Sequence, residues 1–294
     1  MPAIACLIAD PNRQPLDSDL VAAAGKQVGG SVRWLAEAEA AEIHIEGLDP
    51  AGVEARLAPV VANLPIDLAV VPATDRRKQL LLCDMDSTII TIECIDELAD
   101  MAGIKPQIAA VTRRAMNGEL DFPTALRERV ALLAGLPRGA IDAVIRDRLQ
   151  LMPGARTLVR TMHQNGAVTA LVSGGFTAFT AHVRQLCGFD HDEANELEIE
   201  NGELTGRLVG DLRGADAKLS ALSRLQESHN LATGLTMAVG DGANDLPMLH
   251  AAGLGVAFRA HTRVREAAGV RIDHGDLTAL LFLQGYSRQE FAAN

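Results

Sequence analysis

The sequence predicts an α/β protein: a doubly wound parallel sheet, a helical insertion after the first strand of that sheet, and a small βαββαβ domain ahead of it. Three observations support this fold class. Apolar runs of strand length alternate with helical segments in the second half of the chain, which is typical of parallel strands joined by helices. Residues 93–150 have helical character and almost no strand signal. Residues 3–73 show the order strand, helix, strand, strand, helix, strand, which indicates a small sheet covered on one face by two helices.

In the N-terminal part, short apolar runs predict the strands, and two helix-like segments separate them. The strands are "AIACLIA", "EIHIEG" and "IDLAVVP", with a weaker one at "SVRWLA". The charged segment "TDRRKQ" then indicates a linker. We therefore expect a small α+β domain over residues 1–75, a Rossmann-like core over 79–92 and 151–294, and a helical cap over 93–150.

Composition places the 294-residue chain among ordinary globular proteins, with 48% hydrophobic and 22% charged residues. The formal net charge of −11 argues against binding of nucleic acid or an anionic membrane, since both need clustered Lys and Arg. The first residues lack the features of a secretory signal, and no apolar stretch reaches the roughly 18 residues of a membrane helix. We expect a cytoplasmic protein whose four cysteines, which form no CxxC pair, are buried free thiols.

Polar side chains follow three of the predicted core strands at the point where each strand ends. The strands are "LLLCDMD", "AVTALVSGG" and "LTMAVGDG", and the polar segments that end them are "CDMDST", "VSGGF" and "GDGAND". Parallel α/β sheets bind ligands outside the carboxyl ends of their strands. We therefore expect these three segments to line one site.

Two pairs of acids give this site its character. Asp84 and Asp86 are two residues apart on a strand and project to the same side, so both can reach one point beyond the strand end. Asp241 and Asp245 lie on a turn that we expect Gly240 and Gly242 to allow. Asp245 alone is explained equally well as a helix N-cap, but the two pairs together favour a hard divalent cation, Mg²⁺.

The remaining polar residues suit a phosphoryl group. Ser173, Gly174 and Gly175 follow an apolar strand, where backbone amides can face an anion. Lys218, near the start of a helix, can supply a point charge. Taken singly, a Gly-Gly pair is usually a turn and such a lysine is usually a surface residue. Together with the acids they predict phosphoryl transfer with a carboxylate nucleophile and a second carboxylic acid for proton transfer.

Four features, in this order over about residues 80–275, resemble the motifs of the haloacid dehalogenase superfamily of phosphatases: "DMDST", "VSGGF", the helix-borne Lys218 and "GDGAND". The insertion, with "ECIDELADMAGI" and "MNGELDFPTALRERVALLAGLP", is similar to that of its phosphoserine phosphatases. The resemblance implies Mg²⁺-dependent hydrolysis of O-phospho-L-serine, the last step of serine biosynthesis, through an aspartyl phosphate on Asp84, with Asp86 as the acid. It also implies the residues that bind the metal and the phosphoryl group. The metal would be held by Asp84, the Asp86 carbonyl and Asp241, supported by Asp245; the phosphoryl group would be held by Ser173, Gly174, Gly175 and Lys218, with Asn244 nearby.

The same resemblance assigns the amino-acid part of the substrate to Glu93 and Arg129. Physically, a glutamate suits the ammonium of serine, and an arginine can grip its carboxylate as a fork. Helix geometry favours Arg129 over its neighbour Arg127 only mildly. Two apolar positions of the insertion, Met116 and Phe122, match positions of the family that contact the substrate, although a plain core role explains them equally well.

Several alternatives stay open at this point. A phosphatase or phosphotransferase of the same superfamily could act on phosphohomoserine or phosphothreonine, which would fit the same charged pair. A non-catalytic flavodoxin-like module would also cluster acids at strand ends. Residues 1–73 carry no family motif, and their ACT-like character depends on element order alone. For this domain, serine binding and homodimer formation through an edge strand are both hypotheses. "FRAHTRVRE" departs from the family pattern, with His261 and Thr262 where a Lys-Pro pair is common.

Overall fold

A computed structural model describes residues 2–293 of the chain, apart from the side chain of Met116. Its N-terminal part is an antiparallel sheet in the order β2-β3-β1-β4, with two helices. The strands are β1 (Ala3–Ala9), β2 (Ser31–Ala36), β3 (Ala40–Ile45) and β4 (Ile66–Pro72), and the helices are α1 (Ser18–Val28) and α2 (Pro50–Val61). The predicted βαββαβ order is confirmed.

The two faces of this small sheet pack against different partners. Because side chains alternate along β1, Ala5 and Leu7 face a core that includes α1 and α2, whereas Ile4 and Cys6 face the larger part of the chain. Every residue of β1 is therefore buried.

Buried carboxylates connect this sheet to the C-terminal part of the chain. Glu42 on β3 is fully buried and pairs with Arg33 and Arg76, both at 2.6 Å. Arg76 also donates to the carbonyl of Leu283 at 3.0 Å. Asp67 on β4 accepts hydrogen bonds from the backbone amides of residues 273–275. Loss of these partners would leave a buried carboxylate without compensation, so the contacts favour one orientation of the small sheet.

The second sheet has seven strands in the order β11-β10-β9-β5-β6-β7-β8. Its strands are β5 (Leu80–Cys83), β6 (Val168–Phe176), β7 (His191–Glu200), β8 (Glu203–Val209), β9 (Thr236–Gly240), β10 (Leu254–Phe258) and β11 (Val270–Ile272). All neighbours are parallel except β7 and β8, which form an antiparallel hairpin at one edge. β5 lies in the middle, so the acids at its end project from the centre of the sheet.

Helices cover both faces of this sheet, which confirms the doubly wound prediction. On β5, Leu81 and Cys83 face one apolar core and Leu80 and Leu82 face another. The helices are α7 (Ala155–Gln164), α8 (Thr177–Cys187), α9 (Ala215–Ser228), α10 (Leu246–Ala251), α11 (Thr262–Ala267) and α12 (Ala279–Leu283). The four cysteines are buried free thiols, as expected, and none of the described helices is long and apolar enough to cross a membrane.

Between β5 and β6 the chain forms the helical insertion. Its helices are α3 (Cys94–Met101), α4 (Lys105–Met116), α5 (Phe122–Ala131) and α6 (Gly139–Asp147). The insertion is tied to the β7–β8 hairpin, since Gly135 donates to the Leu204 carbonyl at 2.8 Å and Leu204 donates to the Leu136 carbonyl at 2.9 Å. The division of the chain into domains at residues 75, 93 and 150 stays a prediction.

Candidate active site

Asp84 and Asp86 leave the end of β5 toward a cavity of about 550 Å³ between the sheet and the insertion. Asp84 is only 6% exposed, and its backbone amide still continues the sheet by donating to the Val239 carbonyl at 3.0 Å. Asp86 accepts from the Cys94 amide at 2.8 Å and from the Ser173 hydroxyl at 3.2 Å. The two acids thus face one space but have different partners.

Burial raises the pKa of both acids. It raises the pKa of the Asp84 carboxyl well above its ordinary value, and the ammonium of Lys218 opposes that rise. It also raises the pKa of Asp86, against the hydrogen bonds from Cys94 and Ser173. The raised pKa favours the protonated form of Asp86, which suits an acid that donates a proton.

Lys218 lies beneath the cavity floor and not on the surface. It is 1% exposed on α9 and its Nζ bonds to carboxylate oxygens of both Asp84 and Asp245. Burial alone would lower the pKa of this lysine, but the two carboxylates outweigh it and raise the pKa. The explanation as a solvated surface lysine is therefore wrong, and Lys218 is positioned to orient Asp84.

The "GDGAND" segment brings the second acid pair to the same point. Asp245 is fully buried and accepts from the amides of Asp241 and Gly242 at 3.1 and 2.9 Å, so its side chain does not cap α10. Gly240 is required for its small size, because a Cβ there would collide with the Asp245 carboxylate. Neither Gly240 nor Gly242 has a positive φ, so the turn does not depend on the left-handed backbone conformation that glycine allows.

Three carboxylates form a group that could hold a cation. One oxygen each from Asp84, Asp241 and Asp245 lies within 4.8 Å of the others. Burial and the Asp245 charge raise the pKa of Asp241 to about 6, against a hydrogen bond from the Thr88 hydroxyl at 3.0 Å. The Asp86 side chain is outside this group; a contribution of its carbonyl stays a prediction.

The "SGG" segment forms a bulge within β6, although we expected it to follow the strand. The pairing of β6 with β7 is interrupted between Val172 and Phe176, so the segment turns away from the sheet. The Ser173 hydroxyl accepts from the Gly175 amide at 2.8 Å, and Gly174, Gly175 and Asn244 line the cavity. A Cβ on Gly175 would lie 2.8 Å from an Asp86 oxygen, so only glycine fits there.

The insertion contributes Glu93 and Arg129 to the lining of the same cavity. Glu93 accepts from the Ser87 hydroxyl at 2.7 Å, and burial and the Asp86 charge raise its pKa to about 7. Arg129 lines the cavity, and its Nε donates to the Ala125 carbonyl at 3.4 Å. No described carboxylate forms a salt bridge with it, whereas Arg127 is exposed on the outer side of α5. A cationic and an anionic group therefore face the same cavity.

Phe122 closes the cavity against the sheet. Its ring lies so close to two glycines that a Cβ on Gly214 would be 3.0 Å from it and one on Gly174 would be 3.2 Å. Met116, the other apolar position predicted here, falls on a side chain outside the described part of the structure. Ile95 and Leu126 are further apolar residues that line the cavity. They were not predicted from the sequence as site residues.

Two further residues belong to the site although they were not predicted from the sequence. Ser87 and Thr88 directly follow the first acid pair, and their hydroxyls contact Glu93 and Asp241. Ser87 has a φ of 57°, which is unusual for a residue other than glycine and indicates a constrained turn. Their place within "DMDST" was the signal that could have identified them.

Comparisons with known proteins show the family to which the chain belongs. Residues 81–250 match the family model of haloacid dehalogenase-like hydrolases. Over 256 residues the chain is 43% identical to a phosphoserine phosphatase of Streptomyces coelicolor, a match that covers 86% of this chain and 62% of the relative. Over 210 residues it is 47% identical to a phosphoserine phosphatase of Albidiferax ferrireducens, with 70% and 89% covered. This chain thus spans about three fifths of the length of the Streptomyces relative.

A solved structure shares almost the whole architecture. It is a HAD family hydrolase from Salmonella enterica subsp. enterica serovar Typhi, with a TM-score of 0.85 and 31% identity over 96% of this chain and 98% of that chain. The coverage includes the small N-terminal sheet. Since the family model spans more than half of the chain and the segments that bear its acids, the chain belongs to the haloacid dehalogenase-like hydrolases.

Proposed function

We propose that this chain is a cytoplasmic, Mg²⁺-dependent phosphatase that hydrolyses O-phospho-L-serine to L-serine and phosphate, the last step of serine biosynthesis. The observation that carries the proposal is one cavity lined both by the acid pair Asp84 and Asp86 and by the oppositely charged Glu93 and Arg129. Such a cavity matches a small substrate with a phosphoryl group at one end and an amino-acid head at the other. The names of the curated relatives support the same substrate.

The residues fit a divalent cation. Asp84, Asp241 and Asp245 supply three hard carboxylate oxygens, and one ammonium, from Lys218, offsets only part of their charge. Hard oxygen ligands of this kind suit Mg²⁺. When bound, the ion would neutralise negative charge on the phosphoryl oxygens.

In the first step, an oxygen of the Asp84 carboxylate attacks phosphorus and the bond between phosphorus and the seryl oxygen breaks. Asp86 donates its proton to that seryl oxygen, so the alcohol leaves neutral and an aspartyl phosphate stays on Asp84. Lys218 holds the Asp84 carboxylate in place. The Ser173 hydroxyl, the Gly174 and Gly175 backbone and Asn244 orient the transferred group.

In the second step, water attacks the phosphorus of the aspartyl phosphate, and the bond from phosphorus to Asp84 breaks. Asp86, now a carboxylate, takes a proton from that water, which regenerates both acids. Phe122 and the insertion exclude bulk water during the first step.

The N-terminal domain carries two further hypotheses. Serine binding would regulate the enzyme, and a homodimer would form along the edge strand β2, where Val32 and Trp34 are 39% and 37% exposed. Calorimetry with serine on the full chain tests the first, and sedimentation equilibrium tests the second.

The experiment that tests the function is phosphate release from L-phosphoserine by the purified chain, with Mg²⁺ and with EDTA. Two matched esters accompany it: O-phosphoethanolamine, which lacks the carboxylate, and 3-phosphohydroxypropionate, which lacks the amino group. Phosphothreonine and phosphohomoserine test the alternatives within the family.

We expect metal-dependent turnover that is highest on phosphoserine. Turnover on the matched esters without preference for phosphoserine would leave a phosphatase but remove the roles of Glu93 and Arg129. A preference for phosphohomoserine or phosphothreonine would reassign the substrate, and absence of metal-dependent turnover on every ester would reject the proposal.

A further inference from the structure

A buried asparagine joins the two backbone segments that border the phosphoryl end of the cavity. Asn195 on β7 is 3% exposed. It lies opposite Phe176 where the pairing of β6 and β7 resumes after the bulge. Because the bulge leaves carbonyls without partners in the sheet, another donor must satisfy them.

The Asn195 side chain supplies that donor. Its Nδ2 donates to the Gly174 carbonyl at 2.9 Å, with a longer contact of 3.4 Å to the Gly175 carbonyl. These are the glycines of the "SGG" segment, whose Ser173 contacts Asp86. The bulge therefore keeps its shape through a side chain on the neighbouring strand.

The same amide holds the segment that precedes α9. Nδ2 also donates to the Arg213 carbonyl at 3.1 Å, and Oδ1 accepts from the Arg213 amide at 2.7 Å. The side chain of Arg213 is held to the same strand, by Glu193 at 2.7 Å. One residue further on is Gly214, after which α9 begins and carries Lys218 into the site.

These contacts determine the spacing of two segments that act together. Phe122 packs against Gly174 on one segment and Gly214 on the other. A change in the distance between the segments would therefore move the phosphoryl site and the helix that carries Lys218. It would also change the surface against which Phe122 packs.

We infer that Asn195 is a positioning residue for phosphoryl transfer. By bonding to both segments it keeps the "SGG" bulge and the start of α9 at a fixed distance from each other. The inference rests on the proposed function only for the choice of phosphoserine as the substrate, because the group that these two segments would bind is the phosphate. Misplacement of such groups by a fraction of an ångström is costly in rate.

The test compares two buried amides. Asn195→Asp keeps the shape but places an oxygen opposite the Gly174 and Arg213 carbonyls, and Asn195→Ala removes the bonds altogether. Gln284 is the matched control: it is 1% exposed and bridges the Lys78 amide and the Leu280 carbonyl in another part of the core. Gln284→Glu and Gln284→Ala are made in parallel. For each variant, melting temperature, affinity for inorganic phosphate with Mg²⁺ by calorimetry, and kcat and KM on phosphoserine are measured well below the melting temperature.

We expect the variants at both Asn195 and Gln284 to lower the melting temperature. Only the Asn195 variants should weaken phosphate affinity and lower kcat/KM, by about tenfold or more. Asn195→Ala decides the matter if Asn195→Asp fails to fold. Phosphate affinity unchanged in the Asn195 variants, lost equally in the Gln284 variants, or absent from the wild type would overturn the inference. Absence of phosphoserine turnover with the phosphate result intact would reject only the proposed substrate.

Discussion

Replacing Arg129 with alanine tests how the cavity recognises the amino-acid head of its substrate. Arg129 lines the cavity, and no described carboxylate pairs with it, so its guanidinium is available for a substrate carboxylate. A charge-assisted hydrogen bond contributes about 1.5–3 kcal/mol, and a fork of two in a largely buried site lies near the upper figure. Loss of about 3 kcal/mol corresponds to roughly 100-fold in kcat/KM.

The assay measures kcat/KM for L-phosphoserine and for O-phosphoethanolamine, which lacks the carboxylate. We expect Arg129→Ala to lower the first by about 100-fold and to change the second by less than about threefold. Arg127→Ala is the control, because Arg127 is exposed on the same helix. Equal losses on the two substrates, or an equal loss in Arg127→Ala, would refute the assignment and make Arg129 a structural residue.

Three further predictions follow. Asp84→Asn should lower turnover by at least about 10³-fold and prevent trapping of an acid-stable phosphoenzyme from labelled substrate. The circular dichroism spectrum should stay unchanged. Turnover near the wild-type rate would reject Asp84 as the nucleophile. Because the pKa of Glu93 is raised to about 7, Glu93 loses its negative charge as the pH falls below that value. KM for phosphoserine should therefore rise as the pH is lowered from about 8 to about 6, whereas KM for 3-phosphohydroxypropionate, which has no ammonium group, should not. Parallel KM profiles for the two substrates would contradict the contact between Glu93 and the ammonium group. Gly214→Ala places a methyl group 3.0 Å from the Phe122 ring. It should raise KM several-fold, because about 1 kcal/mol of strain arises where Phe122 packs against this segment. The double variant with Phe122→Ala should lose this extra effect, and additive losses would show that the two residues do not interact.

Local patterns account for the part of the site that was predictable from sequence. Asp84 and Asp86 follow a strand at a spacing of two, so their common direction is a property of the strand itself. The convergence of the strand-end segments follows from parallel strands whose carboxyl ends share one edge. The order βαββαβ was also visible, because apolar runs and helical segments alternate clearly there.

Other features depended on packing between distant segments. The β7–β8 hairpin was not predicted, since "HDEANELEIENGELTGRLV" is rich in glutamate and half exposed, which hides the alternation of a strand. Asn195 lies on that hairpin, so the bond between the two cavity segments had no signal in the sequence.

The sequence by itself determined the kind of chemistry: which acids, glycines, hydroxyls and cations are available, and that strand ends bring them to one edge. Only the tertiary structure decided what each group experiences there. Lys218 resembles a surface lysine until α9 buries it between Asp84 and Asp245. Arg129 differs from Arg127 only by the direction in which α5 presents it. The physical reason is that burial and neighbouring charge, which set pKa and binding strength, arise from residues far apart in the chain.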